Sequence, residues 1–187
     1  MKKLVVLVAA SLVAATTAVL GQGTIVVANS AAVNGFDAPV YDWAASGKMH
    51  GPVSWAQVYA GPTADSLTPQ GSPVNFLTGV NAGFIPAQTI VVNSVPPGAN
   101  VYVLLTAWWG PAGSTYESTF GRYLTGYSNT VGPFVTGGAG SPPSPPPNVT
   151  GLRSFSVTDS PEPSTYAMVL IGAGALLLRR IGRRQES

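Results

Sequence analysis

Few residues in this chain have the chemistry to act as catalysts. His50 is its one histidine and it contains no cysteine, so neither a multi-histidine metal centre nor a thiolate nucleophile can be assembled. No Gly-x-Ser-x-Gly elbow occurs either, which removes the usual frame for a nucleophilic serine. Asp37 and Asp42 come nearest to the carboxylate pair that glycoside hydrolysis requires. They bracket Ala38-Pro39-Val40-Tyr41, and if that stretch is extended they stand ~17 Å apart, too far for either hydrolytic geometry. The spacing of a calcium loop is missing around them. His50, beside Gly51-Pro52, reads as an exposed loop residue, and Asp65-Ser66 as a turn or cap. No catalytic residue, metal site or cofactor is assigned.

Aromatic side chains are the better candidates. Trp108 and Trp109 are adjacent in a strand-like run, so their rings leave opposite faces of the strand. One is expected to fill the core and the other to meet solvent or a covering loop. With Tyr116, Tyr123 or Tyr127 nearby, the outward ring would make a flat platform on which a sugar can stack, so Trp108 and Trp109 are the candidate sugar platform.

The elements that must carry these residues are strands. Gly (22) and Pro (17) are abundant without a collagen period, and Val, Thr, Tyr and Trp fill the segments between them. Strands are expected at Thr24 to Ala28, Trp55 to Ala60, Thr89 to Val95, Val101 to Trp109, Val131 to Val135 and Arg153 to Val157. Weaker ones are expected at Val40 to Trp43, Val74 to Leu77 and Thr115 to Leu124. Asn34-Gly35, Gly61-Pro62, Pro96-Pro97-Gly98 and Gly110-Pro111 supply the turns. No segment of the body has a helical period capped at both ends. The expected fold is all-β, a single antiparallel sandwich. Val95 to Val103, with Tyr102 in a tyrosine-corner position, looks like the start of strand F in immunoglobulin- and fibronectin-like sandwiches. Tyr127-Ser128-Asn129-Thr130 resembles the polar segment before their closing strand. Ser141 to Asn148 is so rich in proline that it reads as a stiff exposed loop or linker.

The two ends point to a membrane. Met1-Lys2-Lys3 is a short positive region ahead of an almost wholly apolar run from Leu4 to Leu20, with small residues at Gly21 and Gly23. That is the layout of a secretory signal peptide. At the other end Pro161-Glu162-Pro163 precedes an apolar run from Tyr166 to Leu178 and then Arg179, Arg180, Arg183 and Arg184. Positive residues resist translocation, so both ends are expected to stay cytoplasmic while the body is exported. Thirteen apolar residues at ~1.5 Å each reach ~20 Å, short of a ~30 Å hydrocarbon core. With flanking residues, about 164–181, the span becomes marginal, as suits a temporary stop. The two prolines hold Glu162 extended, the form a protease cleft accepts.

This ordered tail resembles the PEP-CTERM sorting signal of exported bacterial proteins. The resemblance implies recognition of Pro161, Glu162 and Pro163 by an exosortase, retention during sorting by Arg179, Arg180, Arg183 and Arg184, and a passage from the inner membrane to the cell surface or an exopolysaccharide matrix. It covers the signal and not the body. The expected organisation is therefore residues 1–23 as signal peptide, 24–158 as the exported sandwich with its Pro-rich loop at 141–148, and 159–187 as the sorting signal. Without its ends the chain keeps Lys48, Arg122 and Arg153 against Asp37, Asp42, Asp65, Glu117 and Asp159. A body so sparsely charged and mildly acidic excludes nucleic acid as a partner. The expected role is a non-enzymatic surface or matrix protein, with a carbohydrate-binding module of the exopolysaccharide as the alternative.

Overall fold

The computed structural model describes residues 22–43 and 47–159. The first 21 residues of the expected signal peptide, the stretch Pro161-Glu162-Pro163, the helix expected over about 164–181 and the four terminal arginines lie outside the described residues. Among the described residues no helix is long and apolar enough to cross a membrane.

The chain is mostly β, built on a multi-strand antiparallel sheet. Strands run in the order β1 (Gly23–Val27), β2 (Val40–Tyr41), β3 (Gly51–Gly61), β4 (Thr68–Phe76), β5 (Gln88–Val92), β6 (Asn100–Trp109), β7 (Leu124–Tyr127), β8 (Val131–Val135), β9 (Phe155–Ser156) and β10 (Thr158–Asp159). One-turn helices α1 (Ala31–Asn34) and α2 (Tyr116–Thr119) interrupt them. The main sheet has the order β10-β7-β6-β3-β4, and β8 also pairs with β6. Two smaller ladders stand apart from it: β1 with β5, antiparallel, and β2 with β9, parallel.

Side-chain alternation on the two central strands explains the packing. Ala56, Val58 and Ala60 of β3 and Val101, Val103, Leu105 and Ala107 of β6 share a core with Ile25 and Val27 of β1 and Ile90 and Val92 of β5. The opposite face carries Tyr59 and Trp108, which pack with Tyr116 of α2. Both faces of the sheet centre are covered, so these strands lack a polar side. At the sheet margin β4 contains Pro69 and Pro73 and is broken by register irregularities, features that keep an edge strand from recruiting another chain.

Two expectations change here. Thr115 to Leu124 is not a strand: the chain turns through α2 and enters β7 only at Leu124. Thr115 and Ser118 form a reciprocal capping box, with Ser118 N–H donating to Thr115 Oγ1 (3.2 Å) and Thr115 N–H to Ser118 Oγ (2.9 Å). These hydroxyl bonds to the first turn outweigh the β-propensity of the flanking residues. The segment Arg153 to Val157 contributes only β9, and it pairs in parallel. The Pro-rich loop leaves and returns along β1: Gly137 pairs with Thr24, and Val26 N–H donates to the Pro147 carbonyl (2.8 Å). Among the described residues, the strands run from Gly23 at the start of β1 to Asp159 at the end of β10.

Long irregular connections bury peptide groups that no ladder can satisfy, and asparagines take them up. Asn29 donates to the carbonyls of Ala38 (2.9 Å) and Gly83 (2.8 Å) and accepts from Ile85 N–H (2.9 Å). Asn34 donates to Leu152 O (2.9 Å) and accepts from Leu152 N–H (2.8 Å), as a neighbouring strand would. Asn129 grips Gly151 O and Arg153 N–H in the same way (3.0 and 2.7 Å). Replacing Asn34 by Ala strands both peptide groups of buried Leu152, and the expected cost is roughly 2–4 kcal/mol of unfolding free energy. Denaturant unfolding of the full chain measures it, and a loss below ~0.5 kcal/mol would show the clamp to be dispensable.

Candidate functional site

Trp108 and Trp109 do leave opposite faces, and neither forms an open platform. Trp108 has no exposed surface; its indole N–H donates to Ser114 Oγ (2.9 Å) and its ring meets Tyr116 edge-on at 6.2 Å. A ring so enclosed has no face to offer a ligand, which removes Trp108 from the candidate platform. Trp109 is half-buried against the main core, with its N–H directed to Met49 Sδ (2.8 Å).

Asp37 and Asp42, expected to stand too far apart to act as a pair, serve separate loops. Asp37 accepts from Ala31 N–H (2.9 Å), and Asp42 accepts from Gly47 N–H (2.6 Å). His50 is exposed, with Nδ1 2.8 Å from the Lys48 carbonyl. No group of three or more His, Cys, Asp or Glu comes together among the described residues. A hollow of about 470 Å³ lies near α1, with Asp37, Lys48, Asn81 and Phe84 in its lining. Its one cation is engaged, because Lys48 Nζ stands over the Phe84 ring at 5.4 Å.

A second hollow, of about 340 Å³, brings α2, β7 and the β9–β10 segment together. One wall is aromatic: Tyr116 is buried and holds the Phe120 ring edge-on at 4.9 Å and 75°, while Phe120 and Tyr127 remain 49% and 63% exposed. The other wall is polar, with Ser156, Thr158 and Asp159, and Thr125 and Gly126 complete the lining. Gly126 is the sequence's condition for this closure. A Cβ there would stand 2.7 Å from Ser156 O and 3.1 Å from Val157 Cα, so any side chain would push the β9–β10 segment off β7. Tyr116 and Tyr127 line this cleft, where neither Trp108 nor Trp109 takes part, and Tyr123 is exposed outside the lining. Sequence reasoning missed Phe120, Ser156, Thr158 and Asp159. The Tyr116-to-Phe120 spacing, one helical turn, was the available signal.

Beside the cleft, the Tyr59 hydroxyl donates a short hydrogen bond to Glu117 Oε1. Burial would raise the Glu117 carboxyl, but hydrogen bonds from Tyr59, its own backbone and Thr115 outweigh that and hold it below the usual carboxylate range. Tyr59 is driven up in turn, by burial first and then by its bond to Glu117. Tyr116 is pushed up to about 12, chiefly by burial, with Tyr127 and Glu117 adding to it. No family model, curated protein or solved structure matches the chain.

These shifts set the pH response. A tyrosine whose folded pKa lies above its unfolded value of 10.0 contributes stability that is complete below pH 10 and lost as pH rises toward about 12. The depressed Glu117 acts oppositely: its contribution is present above the ordinary carboxylate range and is lost as pH falls through its folded value. Absorbance at 295 nm should therefore show part of the tyrosine ionisation delayed until the chain unfolds in alkali. Tyr116→Phe should diminish that delayed step. Ionisation of every tyrosine near pH 10 in the folded chain would contradict it.

Proposed function

We propose that this chain is a non-enzymatic exported protein, delivered by a PEP-CTERM sorting signal to the cell surface or extracellular matrix. The observation that carries the reading is the ordered tail, Pro161-Glu162-Pro163, apolar run, then Arg179, Arg180, Arg183 and Arg184. An exosortase acting on Pro161, Glu162 and Pro163 in the inner membrane is the partner this implies, with the arginines as the cytoplasmic stop during sorting. The body is read as one β-sandwich, the β1–β5 ladder facing the main sheet across the shared core, flanked before processing by the signal helix and the sorting helix.

The fold also bears on where the leader ends. Gly23 N–H donates to Val95 O (2.8 Å), and a Cβ at Gly23 would stand 2.6 Å from the Thr136 side chain. Gly23 therefore belongs to β1, and removal of the leader after Gly21 keeps the ladder whole where a cut after Gly23 would not. A second reading, a carbohydrate-binding module of an exopolysaccharide matrix, is favoured by the half-aromatic, half-polar cleft.

Two measurements test the main reading. Pro161→Ala with Glu162→Ala should leave an unprocessed, membrane-held precursor in the cells that make the protein; unchanged processing and localisation would refute sorting through the motif. N-terminal sequencing of the mature form should begin at Gln22, and a start beyond Gly23 would place the leader boundary inside the fold.

A further inference from the structure

We propose that the cleft between α2, β7 and β10 is a binding subsite for a neutral pyranosyl unit of a polysaccharide; this rests on the second reading above and assigns it a place and a ligand class. The cleft is at the small end of the roughly 300–1,000 Å³ typical of ligand sites, with room for a sugar unit or two and not for a long stretch of polymer.

Its two walls match the two chemistries of a sugar ring. A pyranose presents a patch of polarised C–H bonds on its face and hydroxyls around its rim. The negative faces of aromatic rings attract such C–H patches, and Phe120 and Tyr127 keep large apolar surfaces in solvent at the cleft. Phe120 is held in place by Tyr116 beneath it, so little ring motion has to be lost on binding. The rest of the lining includes Ser156, Thr158 and Asp159, whose polar groups can exchange hydrogen bonds with the rim.

Charge narrows the ligand. Asp159 is the one ionised side chain in the lining, and Glu117 lies on the adjoining turn. Among the described residues no Lys or Arg lines the cleft; Arg122, on the connection from Phe120 to β7, is outside the lining. A uronate or sulfated sugar would meet a carboxylate without a compensating cation, whereas a neutral sugar uses Asp159 as an acceptor. The subsite should thus discriminate between neutral and acidic polymers.

The test is affinity electrophoresis and calorimetry of the full chain in mild detergent. Soluble neutral glucan, mannan and galactan are compared with polygalacturonate at low salt. Retention by at least one neutral polymer is expected, with none by polygalacturonate. Tyr127→Ala and Phe120→Ala should each weaken it about tenfold or more at an unchanged thermal midpoint for Tyr127→Ala, whose ring is largely in solvent. Tyr127→Phe should retain binding, and Asp159→Asn should narrow the gap between neutral and acidic polymers. Neutral binding that survives both ring truncations would overturn the cleft as the site. Binding to polygalacturonate alone would overturn the ligand class while leaving a carbohydrate role. Failure to bind any of the four would overturn the subsite together with the reading on which it rests.

Discussion

The structure depends on satisfying buried peptide groups outside the sheet. With no cysteine, the chain cannot fix its long connections covalently, and buried N–H and C=O groups left unpaired each cost on the order of 1–3 kcal/mol. Asn34 resolves the most distant case: its side-chain amide pairs with both peptide groups of Leu152, 118 positions away. Asn129 holds the two residues on either side of Leu152, donating to Gly151 O and accepting from Arg153 N–H. Together they dock the segment that runs into β9 and β10, and so decide whether the C-terminal part of the body belongs to the fold at all. The solution is complete in one respect, since no buried side-chain nitrogen or oxygen among the described residues lacks a partner.

A second constraint follows from the centre of the sheet. β3 and β6 bury both faces, and the chain has few residues with which to cover the second one. The one-turn α2 meets this need by inserting a single ring, Tyr116, against Tyr59 and Trp108 at 6.1 and 6.2 Å. Edge-on aromatic packing adds to the area buried, so one turn suffices where a long helix would otherwise be required. The hydrogen bond from Tyr59 to Glu117 fixes the same turn from outside. Covering the sheet and presenting Phe120 at the cleft are thus one act of positioning.

The strands were legible in the sequence wherever β-branched and aromatic residues ran unbroken. β1, β3, β5, β6 and β8 overlap the segments expected, and Val131 to Val135 coincides with β8. Opposite faces for Trp108 and Trp109 followed from the pleat alone. What was not legible lay in side-chain to backbone bonds: the capping box of Thr115 and Ser118 turned an expected strand into α2, and the asparagine clamps carry no periodic signal. The candidate site was half-visible for the same reason. Tyr116 and Tyr127 stood out by type, whereas Ser156, Thr158 and Asp159 join them only because Gly126 lets the β9–β10 segment lie against β7.

That last approach links the cleft to the tail. Thr158 and Asp159 pair with Thr125 and Leu124, and Ser160 and Pro161 follow directly in the sequence. Val157, buried and bonded through its N–H to Tyr41 O (3.0 Å), is the last firm anchor of the chain. β10 itself adds only two exposed residues to the sheet, so its hold is weak compared with that anchor. Cleavage after Ser160 would keep Thr158 and Asp159 in the cleft, whereas cleavage before Thr158 would remove both and leave only Ser156 of the β9–β10 segment in the lining. A ligand that bridges the two walls binds only the docked form of β10, and so stabilises that form by mass action. If the tail is processed as proposed, the integrity of the cleft depends on which side of β10 the cut falls.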